Sequence, residues 1–325
     1  MAAIQPNRLD KIRPDHRPMF CSTIIPTVGR ASLTRAVESV LAQQLNPEDH
    51  EVIVVNDSGK PLPVLPWAND PRVRIIVTMK HERCFARNTG ASIAHGEYLH
   101  FLDDDDWLAP GALLALRDLA RQNATAGILN GATQLVDRND KPIILLRSSF
   151  TGNCSIQTMA GEWIPLQSSL VAAPQFFAIG GFNVLIPSSE DIDLLRRLTL
   201  VAEVASTAAV IAFVGMGMDN STTDHANRYN LARIGREQAL NTRGAFARMR
   251  AAASTPAWKG RLVRVYITSA VWNARQRNWS ASLGRSATAI AAALAAGSAL
   301  LHADFYRALR SRYESGTFAR GFAEA

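Results

Sequence analysis

The chain has 325 residues, 47% of them hydrophobic and 19% charged. One large domain or two ordinary ones with a packed core are expected, and a disordered chain is excluded. The net charge of +7 is uneven: residues 1–225 hold 19 Lys/Arg against 24 Asp/Glu, a net of −5, and residues 226–325 hold 16 against 4, a net of +12. A basic tail behind a mildly acidic body suits an acidic partner, either nucleic acid or a membrane surface.

Residues 1–20 are polar, carry Pro6, Pro14 and Pro18, and lack the apolar core of a signal peptide. Cys21-Ser-Thr-Ile-Ile25 reads as a buried strand stopped by Pro26. A helix is predicted over 32–44, with Leu33, Ala36, Val37, Val40 and Leu41 on one face and Ser32 as N-cap. Glu51-Val-Ile-Val-Val55 is a second strand, ending in the turn Asn56-Asp57-Ser58-Gly59, and 73–77 is a third. A helix over 86–94 is broken at Gly96. The fourth strand, 97–102, runs into Asp103-Asp104-Asp105-Asp106, and a helix follows over 110–122. Residues 126–225 are mixed, with a turn at Ile179-Gly-Gly-Phe182, a helix over 191–200 and a strand over 208–214. From about Asn230 the chain is rich in Arg and Ala and helical in propensity. Trp272 and Trp279, at helical spacing there, read as core. The weakly apolar stretch 286–301 falls short of the ~20 residues of a spanning helix and reads as a soluble or interfacial one. Cys21, Cys84 and Cys154 form no CxxC pair; this argues against a disulfide framework or a cysteine zinc site and fits a reducing compartment.

Strands alternating with helices imply an α/β layer with a largely parallel sheet. Ligands of such sheets bind outside the carboxyl ends of the strands. Three polar clusters lie at such ends: Pro26-Thr27, Asn56-Asp57 and Asp103 to Asp106. Neither G-x-G-x-x-G nor GxxxxGK[ST] is present. Four adjacent carboxylates repel one another and call for a cation, and oxygen ligands select hard ions such as Mg²⁺ or Mn²⁺. Alternation along a strand would put Asp103 and Asp105 on one face and Asp104 and Asp106 on the other. Asp57 suits a nucleobase or ribose as hydrogen-bond acceptor. Arg83 and Arg87 suit a diphosphate.

The succession Thr23-Ile-Ile-Pro-Thr27, Glu51 to Asp57, Ala86-Arg-Asn88, Gly96-Glu-Tyr98 and Phe101-Leu-Asp-Asp-Asp-Asp-Trp107 resembles glycosyltransferase family 2 with the GT-A fold. Ile179-Gly-Gly-Phe182 followed by Glu190-Asp191 resembles that family's acceptor-side pattern. The resemblance covers about residues 20–225. It implies a lead-in over 1–20 and a GT-A domain over 21–225, divided into a nucleotide-binding half (21–125) and an acceptor-binding half (126–225). A basic, mainly helical region over 226–325 lies outside it. The implied fold is a mixed, Rossmann-like sheet flanked by helices. Pro26, Thr27, Asp57, Arg87, Asp103 and Asp104 would bind the nucleotide sugar. Asp105 would hold Mn²⁺ or Mg²⁺, with His225 as a further ligand. Gly181, Phe182 and Glu190 would lie on the acceptor side, and Asp191 would be the general base. The pattern departs from the family at Val28, where an aromatic residue is common, at Asn56-Asp57-Ser58-Gly59, and at His81-Glu82-Arg83.

The implied activity is inverting transfer of a sugar from a UDP-linked donor to a carbohydrate or lipid-linked acceptor in cell-surface polysaccharide or glycoconjugate synthesis. The expected location is cytoplasmic, with peripheral contact at the inner face of the membrane through the basic region, and no nucleic-acid partner. Two alternatives stay open at this point: a metal-dependent nucleotidyltransferase on a related sheet, and a basic nucleic-acid-binding protein.

Overall fold

The computed structural model describes residues 19–216 and 225–311. In chain order its elements are β1 (Cys21–Thr27), α1 (Leu33–Leu41), β2 (His50–Asn56), β3 (Val73–Val77), α2 (Arg83–Ser92), β4 (Tyr98–Phe101), β5 (Trp107–Leu108) and α3 (Ala112–Gln122). There follow β6 (Ala126–Val136), β7 (Pro142–Leu146), α4 (Ser155–Ala160), β8 (Ser169–Ala172), α5 (Ala173–Ala178), α6 (Glu190–Thr199) and β9 (Glu203–Gly215). The C-terminal region is helical: α7 (His225–Leu240), α8 (Ala245–Ala252), α9 (Pro256–Arg275), α10 (Trp279–Ala295) and α11 (Ala303–Arg310).

Among the described residues the strands form a 9-stranded sheet in the order β3-β2-β1-β4-β8-β6-β9-β5, with β7 pairing β6. β3, β2, β1 and β4 are parallel. β8 joins β4 and β6 antiparallel, and β6 and β9 are parallel. The sheet is therefore mixed, as the resemblance implied. Its order turns back at β1, between β2 and β4, so the carboxyl ends of these strands frame a crevice.

Period-2 alternation sorts the core. Ile25, Val52 and Val54 face α1 and α3, where Leu33, Val37, Leu113 and Leu116 are buried. Ile24, Ile53, Val55, Leu99 and Phe101 face Phe176, Leu194 and Leu198. Gly96 is required where it stands: a Cβ there would lie 2.4 Å from the Ser22 amide nitrogen. A third core, with Met249, Tyr266 and Phe305, joins the C-terminal helices to one another and reaches Ile156 and Met159 of α4. Among the described residues no helix is long and apolar enough to cross a membrane.

Several expectations are corrected. Ser32 makes no capping bond, and α1 starts after it. α2 begins three residues earlier than predicted, because the Glu82 carboxylate accepts from the Cys84 and Phe85 amides at 2.9 and 2.7 Å. Residues 126–225 are less mixed than they read. They supply β6, β8 and β9 to the same sheet, so residues 21–125 and 126–225 share one sheet. β6 is hidden in the sequence by Gly127, Asn130 and Gly131. Asn130 Nδ2 donates to Ser169 Oγ at 2.8 Å, and a Cβ on Gly131 would lie 2.2 Å from Ile211 Cγ1. Trp272 is half-buried, but Trp279 is exposed rather than core.

His100, on β4, is fully buried, and burial lowers its pKa to about 4. Thr23 Oγ1 lies 3.2 Å from its Nδ1, and its Nε2 lies 2.9 Å from the Gln167 carbonyl. The unfolded chain takes up a proton near pH 6.5 and the folded chain near 4, so His100 lowers stability as pH falls through that window. His100→Gln is expected to make the stability–pH curve shallower by about 3 kcal/mol between those limits. Urea titrations across this pH range measure it, and parallel curves would contradict it.

Candidate active site

The ends of β1, β2 and β4 and the start of α2 enclose an open cleft of about 290 Å³. Pro26, Thr27, Asp57, Arg87, Asp103, Asp104 and Asp105 all line it. Val28, Arg30, His81 and Arg83 complete its wall.

Asp57 is buried where β2 meets the loop that leads to α2. Its Oδ1 accepts from Thr78 Oγ1 and the Lys80 amide, both at 2.8 Å, and its Oδ2 accepts from the Glu82 amide at 2.6 Å. Burial pushes its pKa up, but these bonds and that of the His81 amide outweigh burial and hold it below the usual carboxylate range. Most of its acceptor capacity is spent on fixing residues 78–82.

The alternation expected along the acidic run does not hold. β4 ends at Phe101, and the run is a turn in which the Asp106 amide donates to the Asp103 carbonyl at 3.2 Å. Asp103, Asp105 and Asp106 consequently point together, with one carboxylate oxygen from each lying within 4.8 Å of the others. Asp104 turns away. It accepts from Thr27 Oγ1 at 2.6 Å and pairs with Arg30 at 2.8 Å. Arg30 also reaches Asp105 at 3.1 Å.

The pKa shifts follow the charges. Burial and the neighbouring Asp103 raise Asp105 against the pull of Arg30. Asp106 is raised well above the carboxylate range by burial and by Asp103 and Asp105, although it accepts from the Gly215 amide at 3.1 Å. Burial would raise Asp103 too, but Arg87 and Arg83 overcome it and lower its pKa. The cluster has an all-oxygen donor set whose negative charge Arg87 and Arg30 offset only in part, which fits a hard divalent cation.

Arg87 is 3% exposed. Its Nη2 donates to Asp103 Oδ1 at 2.5 Å and its Nη1 to Glu190 Oε1 at 3.0 Å. Its guanidinium carbon lies 5.3 Å from the centre of the Phe182 ring. Burial works against its charge, but the two carboxylates raise its pKa beyond the ordinary arginine value. Glu190 opens α6 and is buried; burial raises its pKa, and Arg87 offsets this in part. Arg83 lies 3.4 Å from the same Glu190 oxygen.

Asp191 stands beside Glu190 in the first turn of α6, where the helix dipole favours a carboxylate. Its Oδ2 accepts from Trp163 Nε1 at 3.1 Å. Gly181 and Phe182 make structural contacts. The Phe182 amide and carbonyl both bond the Asn88 side chain, at 2.9 and 2.8 Å, and the ring is buried against Phe101 and Phe176. A Cβ on Gly181 would lie 2.6 Å from Asn88 Oδ1, and its φ of +68° is one glycine adopts freely. Phe182 thus supports Arg87 from beneath and presents little surface to an acceptor. His225 begins α7, and its side chain lies outside the described residues.

Sequence reasoning missed Arg30, Trp163 and Gln167, and it set Asp106 on the face away from Asp103 and Asp105. Gln167 Nε2 donates to Asp103 Oδ2 at 3.3 Å, and its carbonyl is the partner of His100. Only Asp106 carried a signal, as the fourth residue of the acidic run.

An α/β domain with a mixed sheet, flanking helices and an acidic turn after its fourth strand defines a GT-A-type fold. Residues 22–150 match the family model described as Glycosyl transferase family 2. The glycosyltransferase YwdF of Bacillus subtilis, itself described as uncharacterized, is 26% identical over 217 residues, 63% of this chain and 78% of that protein. Poly(ribitol-phosphate) beta-N-acetylglucosaminyltransferase TarP of Staphylococcus aureus is 32% identical over 108 residues, 31% of this chain and 33% of TarP. The crystal structure of S. aureus TarS 1–349 in complex with UDP-GlcNAc shares the fold, with a TM-score of 0.56 at 13% identity, over 83% of this chain and 91% of that one. Of the three classes left open by the sequence, the family match selects the glycosyltransferase.

Removing the central cation should be costly. Arg87→Ala leaves Asp103 and Glu190 without their shared partner, and a buried charge pair broken on one side loses about 3–5 kcal/mol. Urea denaturation measures this. A loss under about 1 kcal/mol would contradict the account of Arg87.

Proposed function

We propose that the chain moves a sugar from a UDP-linked donor to an acceptor hydroxyl with inversion at the anomeric carbon. The observation that carries this reading is the convergence of Asp57, Arg87 and Asp103 to Asp105 in one cleft at the strand ends; Asp191 follows Glu190, the partner of Arg87, in the chain. The UDP-GlcNAc bound by a protein of the same fold supports the choice of donor.

In this reading the nucleoside lies along Pro26, Thr27 and Asp57, and Val28 at the rim gives the base an aliphatic contact. Asp103, Asp105 and Asp106 would hold Mn²⁺ or Mg²⁺, which when bound supplies positive charge against the departing diphosphate. Arg87 keeps Asp103 ionised and oriented. Asp191 accepts the proton of the acceptor hydroxyl; the acceptor oxygen bonds the anomeric carbon as the bond to the diphosphate oxygen breaks. The developing positive charge on the ring is of the kind seen in glycoside hydrolysis. Trp163 holds the Asp191 carboxylate by one oxygen. Gly181, Phe182 and Glu190 shape the acceptor side from below. The acceptor is a carbohydrate or lipid-linked glycan of cell-surface polysaccharide or glycoconjugate synthesis. The basic helical region serves as a peripheral contact with the membrane that bears it.

Two experiments test the reading. A thermal-shift screen of UDP-, GDP-, CDP- and dTDP-sugars with Mn²⁺ should single out UDP-sugars, and stabilisation by another base alone would overturn the donor assignment. Asp191→Asn should lose at least about 100-fold in turnover, the range of a general base, while still binding UDP. Retained turnover would remove Asp191 from its role.

A further inference from the structure

Helix α10 turns an apolar face to solvent. Trp279, Leu283, Ile290 and Leu294 are 64%, 71%, 62% and 76% exposed. At 100° per residue the four side chains fall within about 60° of one another, a narrow stripe along the helix. The opposite face is different: Ala289 and Ala292 are buried in the core shared with α9. Ser282 Oγ donates to the Ala270 carbonyl at 2.9 Å, which lays α10 along α9. Ile267 and Val271 of α9 are exposed as well.

The charges of the segment that carries this stripe have one sign. From Gln238 to Ala303 the sequence has nine Lys/Arg and no Asp or Glu. Arg285, the one charged residue of α10, turns inward to Glu237 and the Leu240 carbonyl. Arg275 and Arg277 stand exposed at the turn into α10, beside Trp279. Residues 286–301 carry no charge. A second copy set stripe to stripe fits poorly, since it would bring the arginines of this segment against one another. A surface that is apolar below and anionic above fits both features. Aliphatic side chains enter the acyl boundary, Trp sits at the interface, and Arg meets the lipid phosphates.

We propose that the Trp279–Leu294 face of α10, with Arg275 and Arg277 at its edge, docks the enzyme on an anionic lipid bilayer. This names the surface behind the peripheral contact in the proposed function. It rests on that reading only for its purpose, since docking is measured without turnover.

The test is co-sedimentation of the full chain with vesicles of phosphatidylglycerol and phosphatidylcholine, and with phosphatidylcholine alone, at low and physiological salt. The wild type should bind the anionic vesicles and bind neutral ones at least about tenfold more weakly. Leu283→Asp with Leu294→Asp should weaken binding to anionic vesicles at least about tenfold. Arg275→Gln with Arg277→Gln should weaken it severalfold and reduce its dependence on salt. All four positions are exposed, so thermal unfolding and UDP binding should be unchanged and separate docking from folding and from the donor site. Wild-type protein that ignores anionic vesicles, or a Leu283→Asp/Leu294→Asp variant that binds as the wild type does, would overturn the proposal. So would light scattering that finds a wild-type dimer and a monomeric variant, for then a second copy covers the stripe. Loss of turnover in the face of intact vesicle binding would fall on the proposed function alone.

Discussion

Arg87 is buried between two carboxylates that arrive from opposite ends of the catalytic body. Asp103 comes from the turn after β4 and Glu190 from the start of α6, and one guanidinium bonds both. A charge this deep survives only with such partners, because desolvation costs several kcal/mol per ion. The planar fork of arginine suits the task, since two nitrogens serve two acceptors at once. The Phe182 ring lies beneath it, and Asn88, one residue on along α2, fixes the backbone of Phe182. α2, the acidic turn, the Gly-Gly-Phe turn and α6 are thus tied at one point. The floor of the cleft and the segment bearing Asp191 are held in one register by it.

The rest of the acidic turn shows what that arrangement leaves undone. Asp103 has Arg87, Asp104 has Thr27 and shares Arg30 with Asp105, and Asp106 has the neutral Gly215 amide. The raised pKa values of Asp105 and Asp106 express this strain of like charges in a buried place. A cation answers it where protons otherwise would. The same cluster that is awkward for an isolated fold is suited to a diphosphate arriving with a divalent ion.

Much of this was legible in the sequence. β1, β2 and β4 are short apolar runs of strand length, and each ends in polar residues that cannot remain in the sheet, so the cleft could be located from three places in the chain. The short motifs then pointed to the family. What was not legible depended on turns and on distant partners. The acidic run reads as the end of a strand, but it folds as a turn, and this sends Asp106 rather than Asp104 to the cluster. Glu82 stood in the sequence only as part of a departure from the family pattern, and its carboxylate caps α2. Phe182 looked like an acceptor contact, and it is core, because Asn88 draws its backbone inward. β6 was hidden by glycines that only make sense against Ile211 and Ala202, contacts no local pattern reveals.

The uneven charge acquires a division of labour. The acidic body sets Asp57 and the acidic turn at one cleft, and the basic helices keep few carboxylates of their own: Arg248, Arg264 and Arg285 donate to backbone carbonyls, Arg285 also pairs with Glu237, and Arg275 and Arg277 face solvent. The central claim is that the carboxylates of the acidic turn bind a nucleoside diphosphate together with a divalent cation. Calorimetric titration of UDP into the wild-type protein, with Mn²⁺ and then with EDTA, tests it most directly. The account predicts binding with Mn²⁺ that weakens at least about tenfold in EDTA, as expected when the charge of the phosphates must otherwise meet Asp105 and Asp106 directly. Equal affinity under the two conditions would contradict it.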